Sequence, residues 1–289
     1  MSSQPALGPP ADIEIVRTEI IMPEPAEALA ALFDLPPGST SNNTVPPLWH
    51  WVYLLERARQ DDLGVDGHPV HGIPAPPGTG FQRMFAGGRV TTHAVLRFGE
   101  PATRATRVIS TVDKAGKSGP LTFVTARSSI EQRGSLSIVD EVHIVYRAHG
   151  STLTPRENPN EADAVPAAVR SEASLELSVD PVLLFRFSAL TYNAHRIHYD
   201  LDYAKSEGYP DLVVHGPLQA LLMAELLRRR EVALLGREFS YRLVAPTFGS
   251  QQLTASANLD EHETPTLVRD ADSRVTATAM VRPIEPTSL

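Results

Sequence analysis

The sequence contains no cysteine, which excludes thiolate catalysis, disulfide bonds and thiolate metal sites. Positive charge is also scarce, with 26 Lys plus Arg against 34 Asp plus Glu and a net charge of −8. A general nucleic-acid-binding protein would need a basic face, so we expect no nucleic-acid partner. A few well-placed Arg residues can nevertheless bind a small anion such as a phosphate.

Long hydrophobic runs are missing as well. No stretch approaches the roughly 18 uninterrupted apolar residues that a membrane-spanning helix needs. Residues 1–12 are polar and proline-rich, and they lack the basic start and apolar run of a signal peptide. We therefore expect no membrane partner and a cytoplasmic location. The 25 prolines indicate short elements separated by frequent turns.

The length and one polar segment indicate two domains. A chain of 289 residues suffices for two compact units of about 140 residues each. The segment 150–170 is polar, acidic and proline-containing and has no periodicity, which is typical of a linker. We predict a first domain over residues 1–149 and a second over residues 171–289.

Both halves have the pattern of a strand followed by helices and then a run of strands. Prolines 46 and 47 precede an apolar body, which predicts a long helix over residues 46–58, and residues 217–230 predict a second one. A glycine- and proline-rich stretch predicts a long loop over residues 61–83. Period-two or β-branched segments predict strands at 13–22, 90–98, 103–113, 121–132, 136–147, 174–179, 238–246, 253–260, 264–270 and 275–282, and shorter helices are expected at 26–33 and 200–207.

The two halves can be superimposed at two anchors. Pro47-Leu48 corresponds to Pro217-Leu218, and Phe98-Gly99 corresponds to Phe248-Gly249. This suggests an internal duplication, although two unrelated α+β halves would also fit. A strand, a long apolar helix and an antiparallel meander wrapped around that helix form a hotdog. We therefore predict an α+β double hotdog, whose two sheets join edge to edge into one continuous sheet.

The densest polar cluster is SALTYNAHRIHYDLDYAKSEGYPDLVVHGPL, residues 188–218. It resembles the signature of the MaoC-like (R)-specific enoyl-CoA hydratases, with its spacing kept over 24 residues without a gap. His198 matches the catalytic His of that family, Asp200 the following Asp, and His215-Gly216 the closing His-Gly pair.

The departures from the signature are informative. Asn193 stands where the family has a catalytic Asp, and His195-Arg196 replaces an Asn-Pro pair. This variant is similar to the type 2 hydroxyacyl-thioester dehydratases and the mesaconyl-C4-CoA hydratases. The segments PPLWHWVYLLE, RMFAGGR and SGPLTFV in the first half are similar to the same subfamily.

The resemblance implies reversible hydration of an α,β-unsaturated acyl-CoA thioester, with mesaconyl-C4-CoA as the first choice, no cofactor, no metal and a homodimer. His198 would carry the proton, Gly216 would donate its backbone N–H to the thioester oxygen, and Asn193 would orient water. Because an amide cannot accept the proton, a second carrier would have to be Asp200, Asp202 or Glu207. Further substrate-binding candidates are His215, Tyr192, Arg196, Trp49, Trp51, Phe85 and Gly87.

Several alternatives stay open from the sequence. The same fold could serve a 3-hydroxyacyl-carrier-protein dehydratase, or a non-catalytic acyl-CoA-binding protein because Asn193 replaces the Asp. A metal enzyme could use His195, His198, His215 and Asp200 as ligands. Trp49 and Trp51 could simply be core residues, and the sequence alone does not decide whether Arg83 and Arg89 are surface residues.

Overall fold

The β-branched segments form ten antiparallel strands that join into one continuous sheet. The computed structural model describes residues 13–39, 42–74, 81–116, 119–148, 173–259 and 263–284, so the predicted linker lies outside the described residues. The strands are β1 (Glu14–Ile20), β2 (Phe81–Thr92), β3 (Pro101–Gly116), β4 (Gly119–Gln132), β5 (Ser135–Ala148), β6 (Ala173–Val179), β7 (Arg237–Leu243), β8 (Gln251–Ala257), β9 (Thr264–Arg269) and β10 (Val275–Pro283).

The strand order shows the duplication that the sequence suggested. The sheet runs β1-β3-β4-β5-β2-β7-β10-β9-β8-β6, so the second five strands repeat the first five in reverse spatial order. The halves meet where β2 pairs with β7, from Gly87 opposite Arg242 to Thr92 opposite Arg237. This pairing covers one edge of each half and confirms the predicted double hotdog with a continuous sheet.

The helices are α1 (Pro23–Leu32), α2 (Pro181–Thr191), α3 (Leu201–Ser206) and α4 (Gly216–Arg229). The sheet of the second half wraps α4, and every residue from Leu218 to Leu227 is buried. A helix buried on all sides has to be apolar nearly all round, which is why this segment is so rich in Leu, Ala and Met. No helix in the described ranges is long and apolar enough to cross a membrane.

The long helix predicted over residues 46–58 is wrong. The segment forms only a short 3₁₀ turn, Trp49–Val52, between Leu48 and Leu54, whose left-handed φ angles are 66° and 54°. Long-range contacts override the helical pattern, because Trp51 Nε1 donates to Asp140 Oδ2 over 2.7 Å. The apolar side chains that suggested a helix are nevertheless buried in the core.

The strand predicted over residues 90–98 is also misplaced. β2 begins at Phe81 and ends at Thr92, so only the first three residues of the predicted strand belong to it. The chain leaves the sheet at His93 and Ala94, whose N–H groups both donate to Ser137 O. The predicted loop before it is therefore shorter, and its residues 65–68 contact the second half, where they matter for the site.

Candidate active site

The motif segment between α2 and α4 folds into a tight series of capped turns. Tyr192 ends α2 in the left-handed conformation, with φ of 53°. Asn193 Oδ1 then accepts the N–H of His195 over 3.0 Å, which is an Asx-turn. A 3₁₀ turn over Arg196–His198 follows, and Asp200 caps α3 by accepting from Tyr203 N. These local bonds fix the orientations of His195 and His198.

His198 is buried, and its protonation is set by one backbone contact. Its Nδ1 lies 2.7 Å from the carbonyl oxygen of Val213, on the segment that leads into α4. A carbonyl only accepts hydrogen bonds, so Nδ1 carries the proton and Nε2 presents a lone pair. Burial lowers the pKa of His198 from its ordinary 6.5 to about 4. The ring is therefore neutral at neutral pH and can accept a proton at Nε2.

His215 brings the start of α4 next to His198. The two rings stack with centroids 3.6 Å apart, and His215 Nε2 bonds to Ser188 Oγ over 2.9 Å. His215 immediately precedes Gly216, the first residue of α4. The first N–H groups of a helix have no intrahelical acceptor, and Pro217 supplies none at all. The N–H of Gly216 therefore lies at the positive end of the helix dipole, beside His198.

Gly216 has no room for a side chain. A Cβ at this position would lie 2.0 Å from Leu243 Cδ1 and 3.2 Å from Phe85 Cδ1. The helix N-terminus is thus seated directly on β7 and β2, at the junction of the two halves. A side chain here would require Leu243 to move, so the glycine allows the helix N-terminus to approach β7 and β2 closely.

A loop of the first half docks onto the histidines of the second. Gly67, with φ of +86°, packs so tightly that a Cβ would lie 1.9 Å from Ala194 O. The Arg196 N–H donates to Asp66 O over 2.9 Å. His68 Nδ1 in turn bonds to Asp66 Oδ2 over 3.1 Å, and the His68 ring lies 4.1 Å from that of His195.

This Asp66–His68 pair was missed by sequence reasoning. The available signal was the triplet Asp-Gly-His at 66–68 inside a stretch otherwise rich in Gly and Pro. Nothing local to that stretch predicts contact with His195, which is 127 residues away. The expectation that the first half merely shapes the acyl pocket is therefore incomplete.

Four imidazoles form a continuous neutral cluster. Ring centroids are 4.1 Å apart for His68 and His195, 5.4 Å for His195 and His198, and 3.6 Å for His198 and His215. Burial lowers the pKa of His68, and burial together with neighbouring histidines lowers the pKa values of His195 and His215 well below the ordinary value. Burial raises the pKa of Asp66, but its hydrogen bonds with His68 lower it more, so this carboxyl is ionised.

The carboxylates that were considered as second proton carriers are engaged elsewhere or exposed. Asp200 binds Arg196 over 2.7 Å, and the side-chain amide of Gln82 donates to the Glu207 carboxylate. Asp202 is exposed on α3. Members of the alternative metal set are likewise engaged, since Asp200 pairs with Arg196 while His198 and His215 bond to protein oxygens. A different trio, Asp66, His68 and His195, has its potential ligand atoms within 4.8 Å of one another, but the first two already bond together.

The remaining predicted site residues fall into two groups. Phe85 and Trp51 flank Tyr241 near the junction, with ring centroids 6.0 Å and 5.7 Å from it. Gly87 forms a bulge in β2 with φ of +144°, where a Cβ would lie 2.4 Å from Tyr241 O, so it allows β2 and β7 to approach. Three others lie in the core or at the surface. Trp49 is buried in the core, the side chain of Tyr192 is exposed, and Arg196 stacks on Tyr203 while it binds Asp200.

Sequence comparisons match most of this chain to known proteins. The family model of hydroxyacyl-thioester dehydratase type 2 matches residues 48–249. The mesaconyl-C(4)-CoA hydratase of Chloroflexus aurantiacus is 48% identical over 231 residues, which cover 77% of this chain and 79% of the relative. The mitochondrial hydroxyacyl-thioester dehydratase type 2 of Schizosaccharomyces pombe is 29% identical over 238 residues, covering 73% and 76%.

Solved structures confirm the fold. The crystal structure of HtdX of Mycobacterium tuberculosis superimposes with a TM-score of 0.67 and 15% identity, covering 94% of this chain and all of that one. The family match spans both the junction at Phe85 and the histidine cluster, so it includes the whole site described above. The chain belongs to the type 2 family of hydroxyacyl-thioester dehydratases.

Proposed function

We propose that this protein catalyses the reversible hydration of mesaconyl-C4-CoA to citramalyl-CoA. The observation that carries the proposal is the adjacency of His198, with a free Nε2 lone pair, to the N-terminus of α4 at Gly216. The 48% identity to a mesaconyl-C(4)-CoA hydratase supports the choice of acyl group.

His198 is the proposed proton carrier. Its Nε2 accepts a proton from water as the oxygen of that water forms a bond to the β-carbon of the unsaturated thioester. The same proton is then delivered to the α-carbon, so that one water adds across the double bond. A pKa of about 4 keeps the imidazole neutral at physiological pH, as a base requires.

Gly216 is the proposed donor to the thioester oxygen. Attack at the β-carbon pushes an electron pair through the α-carbon and leaves negative charge on that oxygen as an enolate. A preorganised backbone N–H at a helix N-terminus stabilises such a charge by roughly 3–4 kcal/mol. The neighbouring aromatic rings of Phe85 and Trp51 are proposed to line the acyl pocket.

Asn193 is assigned a positioning role. Its Oδ1 accepts the N–H of His195, and its amide NH₂ stays available to orient the water. The side chain can therefore donate a hydrogen bond to the water oxygen but cannot remove a proton. This division leaves the proton transfer to His198.

The test is hydration of mesaconyl-C4-CoA by the purified protein in H₂¹⁸O, with the product identified by mass spectrometry. We expect one ¹⁸O atom in citramalyl-CoA, and no product from a folded His198→Gln control. The Schizosaccharomyces pombe relative is named a hydroxyacyl-thioester dehydratase, and a 3-hydroxyacyl-carrier-protein dehydratase is the alternative function. It is tested in parallel with 3-hydroxyacyl-CoA and 3-hydroxyacyl-carrier-protein substrates. Turnover of the carrier-protein substrate alone would overturn the proposed function.

We further propose a cytoplasmic homodimer, as the family resemblance implies. Light scattering coupled to size-exclusion chromatography checks the oligomeric state. A mass twice that of the 31.4 kDa chain is the expected result.

A further inference from the structure

Arg83 lies on the sheet face that the start of α4 contacts. Side chains alternate along a strand, so Arg83 shares a face of β2 with Phe81 and Phe85. In the register with β5 it stands opposite Tyr146, which packs with both of these phenylalanines. Phe85 in turn lies beside Gly216, with its Cδ1 3.2 Å from the position that a Cβ on Gly216 would take. The guanidinium therefore belongs to the wall of the site rather than to the outer face of the sheet.

The charge of Arg83 is directed at the histidine cluster. Its positive charge lowers the pKa values of His68 and His195 and opposes the burial that raises the pKa of Tyr146, which places all three within its electrostatic reach. The ionised Asp66 is hydrogen-bonded to His68 and forms no ion pair with Arg83, whereas His68, His195 and Tyr146 are neutral. Their ring nitrogens and hydroxyl can still contribute hydrogen bonds to a shared ligand.

Arg83 has no anionic partner among the described residues, unlike Arg89, Arg127 and Arg196. Arg89 and Arg127 share the buried Glu141, with contacts of 2.7 Å and 2.6 Å, and Arg196 binds Asp200. Arg83 is half-buried and has neither an ion pair nor a hydrogen bond within the described part of the chain. A partly desolvated guanidinium without a partner is suited to bind a planar oxyanion in a bidentate manner.

We propose that Arg83 binds the free carboxylate of a dicarboxylic acyl-CoA substrate, with His68 and His195 lining the same subsite. The inference rests on the proposed function and deepens it. In mesaconyl-C4-CoA the free carboxylate is attached to the β-carbon, the atom that receives the water activated by His198. It therefore has to lie close to His198, and the His195 ring lies between His198 and His68.

The test compares two ligands that differ only in that carboxylate. 3-Methylcrotonyl-CoA has a methyl group where mesaconyl-C4-CoA has the carboxylate. Dissociation constants are measured by calorimetry in a His198→Gln background, so that turnover does not disturb the titration. Removing one charge-assisted contact typically weakens binding roughly 10- to 100-fold. We expect Arg83→Gln to weaken the binding of mesaconyl-C4-CoA by that factor and to change the ratio of the two dissociation constants by the same factor.

Matched variants make each outcome decisive. Arg282→Gln is the control, because it removes the same charge at a position away from the site. Arg282 lies on β10 opposite Glu238, at the other end of β7 from Leu243, so its loss should leave the ratio unchanged. Arg83→Lys should restore part of the preference, because charge is kept but the bidentate geometry is lost. Equal weakening of both ligands by Arg83→Gln would assign Arg83 to a CoA phosphate and overturn the inference, as would no weakening of either.

Failure of the proposed function looks different. In that case the wild-type protein would not hydrate mesaconyl-C4-CoA, whatever Arg83 does to binding. A wild-type protein that hydrates it, together with an unchanged binding ratio in Arg83→Gln, would overturn the inference about Arg83 alone.

Discussion

The two halves of the chain share one topology but have diverged where chemistry takes place. The second half keeps a central helix, α4, whose N-terminus meets His198 through His215. At the corresponding place the first half has only the 3₁₀ turn Trp49–Val52. The described part of the first half instead contributes a loop, with Asp66 and His68, that docks onto the histidines of the second half.

This difference suggests a division of labour after duplication. The helix N-terminus and the proposed proton carrier stay together in one half, since both are proposed to act on the same thioester. The other half has no second long helix among its described residues, and we propose that it binds the substrate through the docked loop and β2.

The largest effect is expected at Gly216. In Gly216→Ala the new Cβ would clash with Leu243 and push the helix N-terminus away, so we expect kcat to fall about 10²- to 10³-fold. Steady-state kinetics on mesaconyl-C4-CoA with circular dichroism as the folding check measure this. Adding Leu243→Ala removes the clashing atom and should raise kcat at least tenfold above that of Gly216→Ala alone. A Gly216→Ala variant with near wild-type kcat would remove the donor role of this N–H.

Acid should destabilise the protein through His198. Its folded-state pKa of about 4 lies below the ordinary 6.5, so the unfolded chain binds the proton first as the pH falls. The stabilisation is complete above pH 6.5 and is lost progressively toward pH 4, by about 3 kcal/mol in total. Urea unfolding at pH 8 and pH 5 checks this: wild type should lose about 2 kcal/mol more than His198→Gln. His93→Gln, at an exposed position, is the control and should match wild type.

A smaller effect is expected where the loop of the first half docks. Gly67→Ala would place a Cβ 1.9 Å from Ala194 O, so the loop must shift and carry His68 away from His195. We expect kcat/KM to fall roughly tenfold, in line with a misplacement of substrate-positioning groups. Gly134→Ala imposes similar left-handed strain, with φ of +73° but open space, and should leave kcat/KM unchanged. Equal losses in both variants would mean that docking is irrelevant to activity.

The smallest effect is expected at Asn193. Asn193→Asp keeps the acceptor for the His195 N–H but removes the amide donor and adds a negative charge. That charge favours the imidazolium form, so the acid limb of the kcat/KM profile should move to higher pH. We expect activity at pH 7 to fall several-fold. An increase in activity would show that a carboxylate base is preferred here and would contradict His198 as the single proton carrier.

Periodicity sufficed to predict most strands and α4, because those elements depend on which face is buried. It failed at residues 46–58, where an apolar segment buries its side chains without forming a helix. The competing interactions there, such as the bond from Trp51 to Asp140, join residues 89 positions apart. His198 and Gly216 were identifiable because their motif is contiguous in sequence. His68 and Arg83 were not assigned a role, since only the folded junction brings them to that motif.

The most direct test of the account separates binding from turnover in His198→Gln. We predict a folded variant whose ratio of affinities for mesaconyl-C4-CoA and 3-methylcrotonyl-CoA is close to that of the wild type. The variant should hydrate mesaconyl-C4-CoA at least 10²-fold more slowly than the wild type. Single-turnover kinetics with excess enzyme give the rate, and calorimetry gives the ratio of affinities for mesaconyl-C4-CoA and 3-methylcrotonyl-CoA. Turnover within tenfold of wild type would contradict the assignment of His198 as the proton carrier.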